Sequence, residues 1–184
     1  MVMQDPRSDL ELVQRFLNTV NLEEGPDALS TPRALLTWLV DAGIPPGDRK
    51  ARTDDELHRV LTVREALRDL VAVNAGIPLP PASHTALQDA GERARLTVRF
   101  DPDGSTVTEP LATGIDGAVG RILAAAHRAM DRGAWQQLKL CGRDCCRWAF
   151  VDNSKNRSKR WCSMETCGNK EKGEAFRHRH RTTT

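Results

Sequence analysis

Between residues 8 and 130 the apolar positions recur mostly at three- and four-residue spacing, so this stretch reads as a series of amphipathic helices. Leu10, Val13, Leu17 and Val20 form the first stripe, and Ser8 with Glu11 is placed to close a capping box at its start. Thr31-Pro32 suits the N-cap and first position of a second helix carrying Leu35, Leu36, Trp38 and Leu39, which stops at Gly43. Thr53 and Glu56 repeat the box ahead of Leu57, Val60, Leu61, Leu67, Leu70 and Val71, closing near Gly76. Prolines at 44–48 and 77–81 separate these helices, because proline lacks an amide donor and disfavours helix in the residue before it.

The pattern changes after a shorter helix over residues 83–93. Residues 95–100 and 105–108 alternate in polarity and flank Asp101-Pro-Asp-Gly104, a turn sequence that predicts a β-hairpin. Residues 115–130 return to helical spacing, with Val119, Ile122, Leu123, Ala126 and Met130 on the buried side. Gly133 and Ala134 then read as a hinge. The expectation is an α+β protein: a mostly α-helical N-terminal domain with a β-hairpin (1–134), followed by a small C-terminal unit (135–184) that is too short to build a core of its own.

Composition sharpens the division. From Lys139 onward there are 12 Lys+Arg against 5 Asp+Glu, a net +7, which leaves 15 against 20, a net −5, for the rest. The C-terminal unit is thus the part suited to a polyanion. No signal-peptide pattern opens the chain, and no apolar run approaches the roughly 20 residues of a bilayer span, so a cytoplasmic protein with no membrane partner is expected. All five cysteines fall between 141 and 167, and in a reducing compartment such crowding argues for metal rather than disulfides.

Four residues separate Cys141 from Cys146, fifteen separate Cys146 from Cys162, and four separate Cys162 from Cys167. Two close pairs bridged by a longer loop is the layout of a four-thiolate site, here for one structural Zn2+ held by Cys141, Cys146, Cys162 and Cys167. Cys145 could replace Cys146, but the equal gaps favour Cys146. Gly142 and Gly168 follow the outer cysteines, where a turn calls for unusual backbone angles. Arg143, Arg147, Lys170 and Lys172 are near enough in sequence to moderate the charge of four thiolates. Trp148 and Trp161 are expected to pack the small unit. Four cysteines leave no open metal position, and no nucleophile–base pair stands out, so an enzyme is not expected.

The run Cys141-Gly-Arg-Asp-Cys-Cys-Arg-Trp-Ala-Phe-Val-Asp152, followed by Asn156-Arg-Ser-Lys-Arg-Trp-Cys-Ser-Met-Glu-Thr-Cys-Gly-Asn-Lys170, closely resembles the CGNR zinc-finger family over residues 138–180. In that family a zinc-ribbon-like finger with a C-terminal helix follows an ABATE-type domain. Residues 10–132 resemble such a domain through Thr31-Pro32, Arg64-Glu-Ala-Leu-Arg68 and the hairpin. The resemblance implies a bacterial, stress-related transcription regulator, nucleoid-associated, with the finger on DNA and the larger domain as a sensor. The family's eponymous Arg is here Lys170, which meets a phosphate as a point charge but cannot form a bidentate fork.

Basic and small polar residues interleave between the cysteine pairs, and a second cationic cluster follows on a segment expected to be helical from near Cys167. The expected nucleic-acid contacts are Arg147, Lys155, Arg157, Lys159, Arg160, Asn169, Lys170, Lys172, Arg177 and Arg179. Double-stranded DNA is the expected partner, with a homodimer on a two-fold operator as a further expectation. A zinc-ribbon module docking an acidic surface of the transcription machinery, or an RNA-binding protein, are the alternatives. No ligand of the larger domain is legible. Trp38, Arg64 and Arg68 are the residues to inspect there, with ordinary core and surface duties as the expectation.

Overall fold

The computed structural model describes residues 6–23, 25–47 and 53–174. Its elements run α1 (Pro6–Leu17), β1 (Val20–Asn21), β2 (Gly25–Asp27), α2 (Pro32–Asp41), α3 (Asp54–Ala72), α4 (Pro81–Ala94), β3 (Leu96–Phe100), β4 (Thr106–Pro110), α5 (Gly114–Asp131), β5 (Leu138–Leu140) and β6 (Ala149–Val151). The strands form three antiparallel two-stranded pairs, β1–β2, β3–β4 and β5–β6. The cap chemistry expected at two helices is present. Thr31 Oγ1 accepts from the Ala34 amide at 3.1 Å, and Thr53 and Glu56 close a reciprocal box at 3.1 and 2.9 Å. At α1 the helix already begins at Pro6, so Ser8 lies inside the first turn rather than at the N-cap. Proline's fixed φ suits that first turn and moves the start upstream.

The buried stripes of α1, α3 and α5 meet in one aliphatic core. Val13, Phe16, Leu35, Leu67 and Ile122 are fully buried there. Helix α5 packs closely because its inner face is alanine and glycine. A Cβ on Gly120 would stand 2.7 Å from the Ala94 Cβ and 2.6 Å from that of Pro110, so only glycine lets α5 lie against α4 and β4.

Leu138 and Ala149, both fully buried, belong to this same core although they lie in the C-terminal β5–β6 hairpin. The junction at 133–134 is correspondingly a fixed helix stop and not the hinge its Gly suggested. Gly133 takes φ +66°, its amide donates to Met130 O, and the Ala134 amide donates to Ala129 O at 2.9 Å with Ala134 itself buried.

Polar side chains of the helical unit complete the hairpin's backbone bonding. The Asn18 amide gives to Ala149 O and takes from Ala149 N, both at 2.8 Å, and Asn74 Nδ2 donates to Trp135 O and Leu138 O at 2.9 Å. Arg68, 1% exposed, donates to Glu65, to Leu17 O at 2.6 Å and to Arg147 O at 3.1 Å. Arg64 spans Asp27, Thr19 and Glu65. Burial would raise the Asp27 carboxyl, but the hydrogen bonds from Arg64 and the Leu29 amide hold it below the ordinary value. Both arginines are thus spent on structure. Trp38 packs its ring 5.5 Å from Phe16.

Asn18→Ala would leave the Ala149 amide without its partner inside the domain. A loss of about 1–3 kcal/mol is expected, read as a lower urea midpoint with unchanged slope.

Candidate metal centre

Cys141 follows the end of β5, and its amide donates to Trp148 O at 2.9 Å, so the hairpin itself sets the first knuckle. The chain turns back over 142–146 with the Cys146 amide donating to Arg143 O at 2.9 Å. The second pair comes from a different local structure. Ser163 caps a π turn, Met164–Gly168, that carries Cys167 and continues as helix over 169–174. A bond from the Gly142 amide to Arg160 O at 2.8 Å holds the two halves together.

The four sulfurs of Cys141, Cys146, Cys162 and Cys167 lie within 4.8 Å of one another, with Cys162 3.6 Å from Cys167 and 3.9 Å from Cys146. Four thiolates at about 2.3 Å from a tetrahedral zinc stand about 3.8 Å apart, so the donors fit such an ion. Cys145 is exposed and lies outside the cluster. Trp148 and Trp161 pack against the sulfurs. Gly142 and Gly168 are needed for space, not for backbone angle, because neither has a positive φ. A Cβ on Gly168 would sit 2.6 Å from the Met164 sulfur and 3.1 Å from the Trp161 ring, and one on Gly142 would sit 3.1 Å from that ring.

Burial pushes the Cys146 thiol up to about 11, with the nearby Cys167 and Cys141 sulfurs adding to the rise, and burial with the same neighbours pushes Cys162 higher still. Burial works against Cys167 as well, but hydrogen bonds from Cys162, Cys146 and Cys141 outweigh it and hold this thiol below its ordinary value. The cluster thus favours the Cys167 thiolate and holds the Cys146 and Cys162 protons more tightly, and a metal must displace them. Arg143 supplies nearby positive charge. Its buried guanidinium pairs with Glu23 and Glu174, each at 3.2 Å.

The loop between the cysteine pairs is organised by Asp152, which is 1% exposed. Its carboxylate accepts from Lys139 Nζ at 2.8 Å, from the Ser154 hydroxyl and amide at 2.6 and 3.0 Å, and from the Lys159 amide at 3.0 Å. Lys139 Nζ is further occupied by the carbonyls of Arg157 and Lys159. On this frame Lys155, Arg157, Lys159 and Arg160 are all exposed, and Arg160 lies over the Trp161 ring with its guanidinium carbon 5.0 Å from the centroid.

The other expected nucleic-acid contacts divide. Lys172 is exposed, but Lys170 Nζ is 2.9 Å from Glu23 and Arg147 is 3.2 Å from Asp69. Both of these cations therefore already hold carboxylates of the helical unit. The Asn169 amide donates to Glu165 O at 3.2 Å within its own turn. Arg177 and Arg179 lie outside the described residues. Sequence reasoning missed Glu23 and Asp69, whose partners are 147 and 78 positions away. Asp152 had a local sign in Asp-Asn-Ser, the pattern of an Asx turn.

Burial would raise the Asp152 carboxyl, but the hydrogen bonds from Lys139, Ser154 and Lys159 overcome it and keep the group far below the ordinary carboxylate range. A carboxyl lowered on folding adds stability above its unfolded value, near 4, and loses it as the pH falls from there toward the folded value. Asp152→Asn should therefore lower the melting midpoint at pH 7, and the gap from the parent should close on acidification toward pH 2. A gap independent of pH would assign the effect to packing.

Residues 10–134 match the ABATE model, described as "Putative stress-induced transcription regulator", and residues 137–180 match the CGNR zinc finger. A comparison with curated proteins finds no match. Because the first model spans well over half of the 184 residues, the chain belongs to the ABATE family, and its C-terminal unit is a CGNR zinc finger.

Proposed function

We propose that this chain is a DNA-binding transcription regulator whose finger holds one structural zinc ion and presents the 153–160 loop to duplex phosphates. It acts in the cytoplasm, at the nucleoid, by binding rather than by catalysis. The observation that carries the reading is the set of exposed cations, Lys155, Arg157, Lys159 and Arg160, on a loop whose backbone is fastened by Asp152 and bounded by the cysteine cluster. Side chains displayed from a fixed backbone lose less freedom on meeting phosphates than side chains of a loose loop. The family description and the positive balance of the C-terminal unit support the same partner.

Zinc would be held by the four cysteines alone, and it would supply the stability that two tryptophans cannot, on the order of 10–16 kcal/mol for comparable sites. A closed four-thiolate shell has no position for substrate or activated water, which favours a structural role. Lys170 contributes to DNA only if it leaves Glu23, so the loop and not the helix start supplies the main phosphate contacts.

Elemental analysis should find one zinc per chain, retained in Cys145→Ser and lost in Cys162→Ser. Retention in the second variant would remove Cys162 from the ligand set. Fluorescence anisotropy of the full chain on a labelled duplex should show affinity falling with salt, by about 0.9 log unit per log unit for each neutralised phosphate. Lys155→Glu combined with Arg157→Glu should weaken binding at least tenfold on every sequence and flatten that slope. An unchanged affinity in this pair would sink the loop as the DNA surface.

A further inference from the structure

A groove of about 770 Å³ separates the end of α3 and the 3-10 turn Val73–Ala75 from the finger. Its volume falls within the range of about 300–1,000 Å³ usual for small-molecule sites, which favour the boundaries between structural units. The helical wall is mainly apolar, built from Val71, Ala72, Ala75 and Ile77 with Asp69 and Asn74 beside them, and Ile77 is left 56% exposed. Unlike the scattered apolar groups of an ordinary surface, these line one concavity.

The opposite wall is cationic. Lys139, Arg147, Lys159 and Arg160 line it, together with the acid Asp144. Lys139 is spent on Asp152 and two carbonyls, and Arg147 and Asp69 pair with each other at 3.2 Å. Lys159 and Arg160 remain. Among the described residues neither side chain has a carboxylate partner. Arg160 is laid over the Trp161 ring, and the Lys159 backbone is fastened to Asp152. Two positive charges without a carboxylate partner among the described residues, Arg160 held over an indole ring, thus share with a mainly apolar wall a space of ligand size.

We propose that this groove binds a small amphipathic anion, its apolar body against Ala72, Ala75 and Ile77 and its acidic group between Lys159 and Arg160. An apolar body alone would leave both charges unmet, and a bare inorganic anion would leave the wall wet. The occupant touches the helical domain and, through Gly142 and Cys141, the first metal knuckle. Lys159 and Arg160 are also phosphate contacts in the function proposed above. That part of the inference rests on the DNA reading: the anion and duplex compete for two side chains, so each lowers the affinity for the other by the same factor. The anion would then act as an inducer that releases DNA.

The probe is 8-anilinonaphthalene-1-sulfonate, an amphipathic fluorescent anion, titrated into the full chain, with neutral N-phenyl-1-naphthylamine as its uncharged counterpart. Saturable one-to-one binding of the anion is expected, at least tenfold tighter than that of the neutral probe. Ala75→Trp, which fills the groove from an exposed position, and Arg160→Glu should each raise the Kd at least tenfold. Phe100→Ser, a change at the most exposed apolar side chain of the β3–β4 hairpin, should leave it unaltered.

Circular dichroism melting of each variant establishes that the fold persists, and Ile77→Asp replaces Ala75→Trp should the latter not fold. Absence of saturable binding, or binding indifferent to both groove variants, overturns the proposal. Equal affinity for the neutral probe overturns the anionic assignment. Release of labelled duplex by the anion, lost in Ala75→Trp, is expected for the coupling. A chain that takes the probe in the groove but never binds DNA defeats the DNA reading while the site stands.

Discussion

The finger's hairpin has two strands and no second layer of its own, and everything C-terminal to it depends on how that deficit is met. An isolated two-stranded hairpin is marginal in water. Here Leu138 and Ala149 turn inward and join the aliphatic core of α1, α3 and α5, while Asn18, Asn74 and Arg68 bond the carbonyls and amide that the hairpin exposes toward the helices. The helical domain therefore serves as the missing layer. A metal is left to organise only what lies beyond the hairpin, where Cys141, Cys146, Cys162 and Cys167 converge between two tryptophans.

This arrangement explains why the finger's cations differ so much in their surroundings. Lys139, Arg143, Arg147 and Lys170 sit where the finger meets acids of its own turn or of the helical domain, and each is paired. Glu23 alone takes both Arg143 and Lys170, and those two cations hold its carboxyl below the ordinary range despite some opposing desolvation. The exposed Lys170 pair contributes little to stability. Its effect is positional, since it orients the helix that starts near Cys167 against the helical domain. Lys155, Arg157, Lys159 and Arg160 extend from the Asp152 frame and are exposed, the last two beside the groove. One basic segment in the sequence is thus two populations in the fold.

The caps at Thr31 and Thr53, the Asp-Pro-Asp-Gly turn and the four metal-site cysteines were all legible in the sequence. Each is a matter of chemistry within a few residues: a side-chain oxygen reaching an amide three positions on, or two thiols brought together by a four-residue turn. Such signals survive whatever the rest of the chain does. Tertiary structure alone decided that the two units share a core, that Gly142 and Gly168 make room for the Trp161 ring and Met164, and that Lys170 rests on Glu23. It also decided which cations face the groove beside Ile77. Those outcomes join residues far apart along the chain, and no local spacing encodes which carboxylate a lysine will meet once the helices have packed.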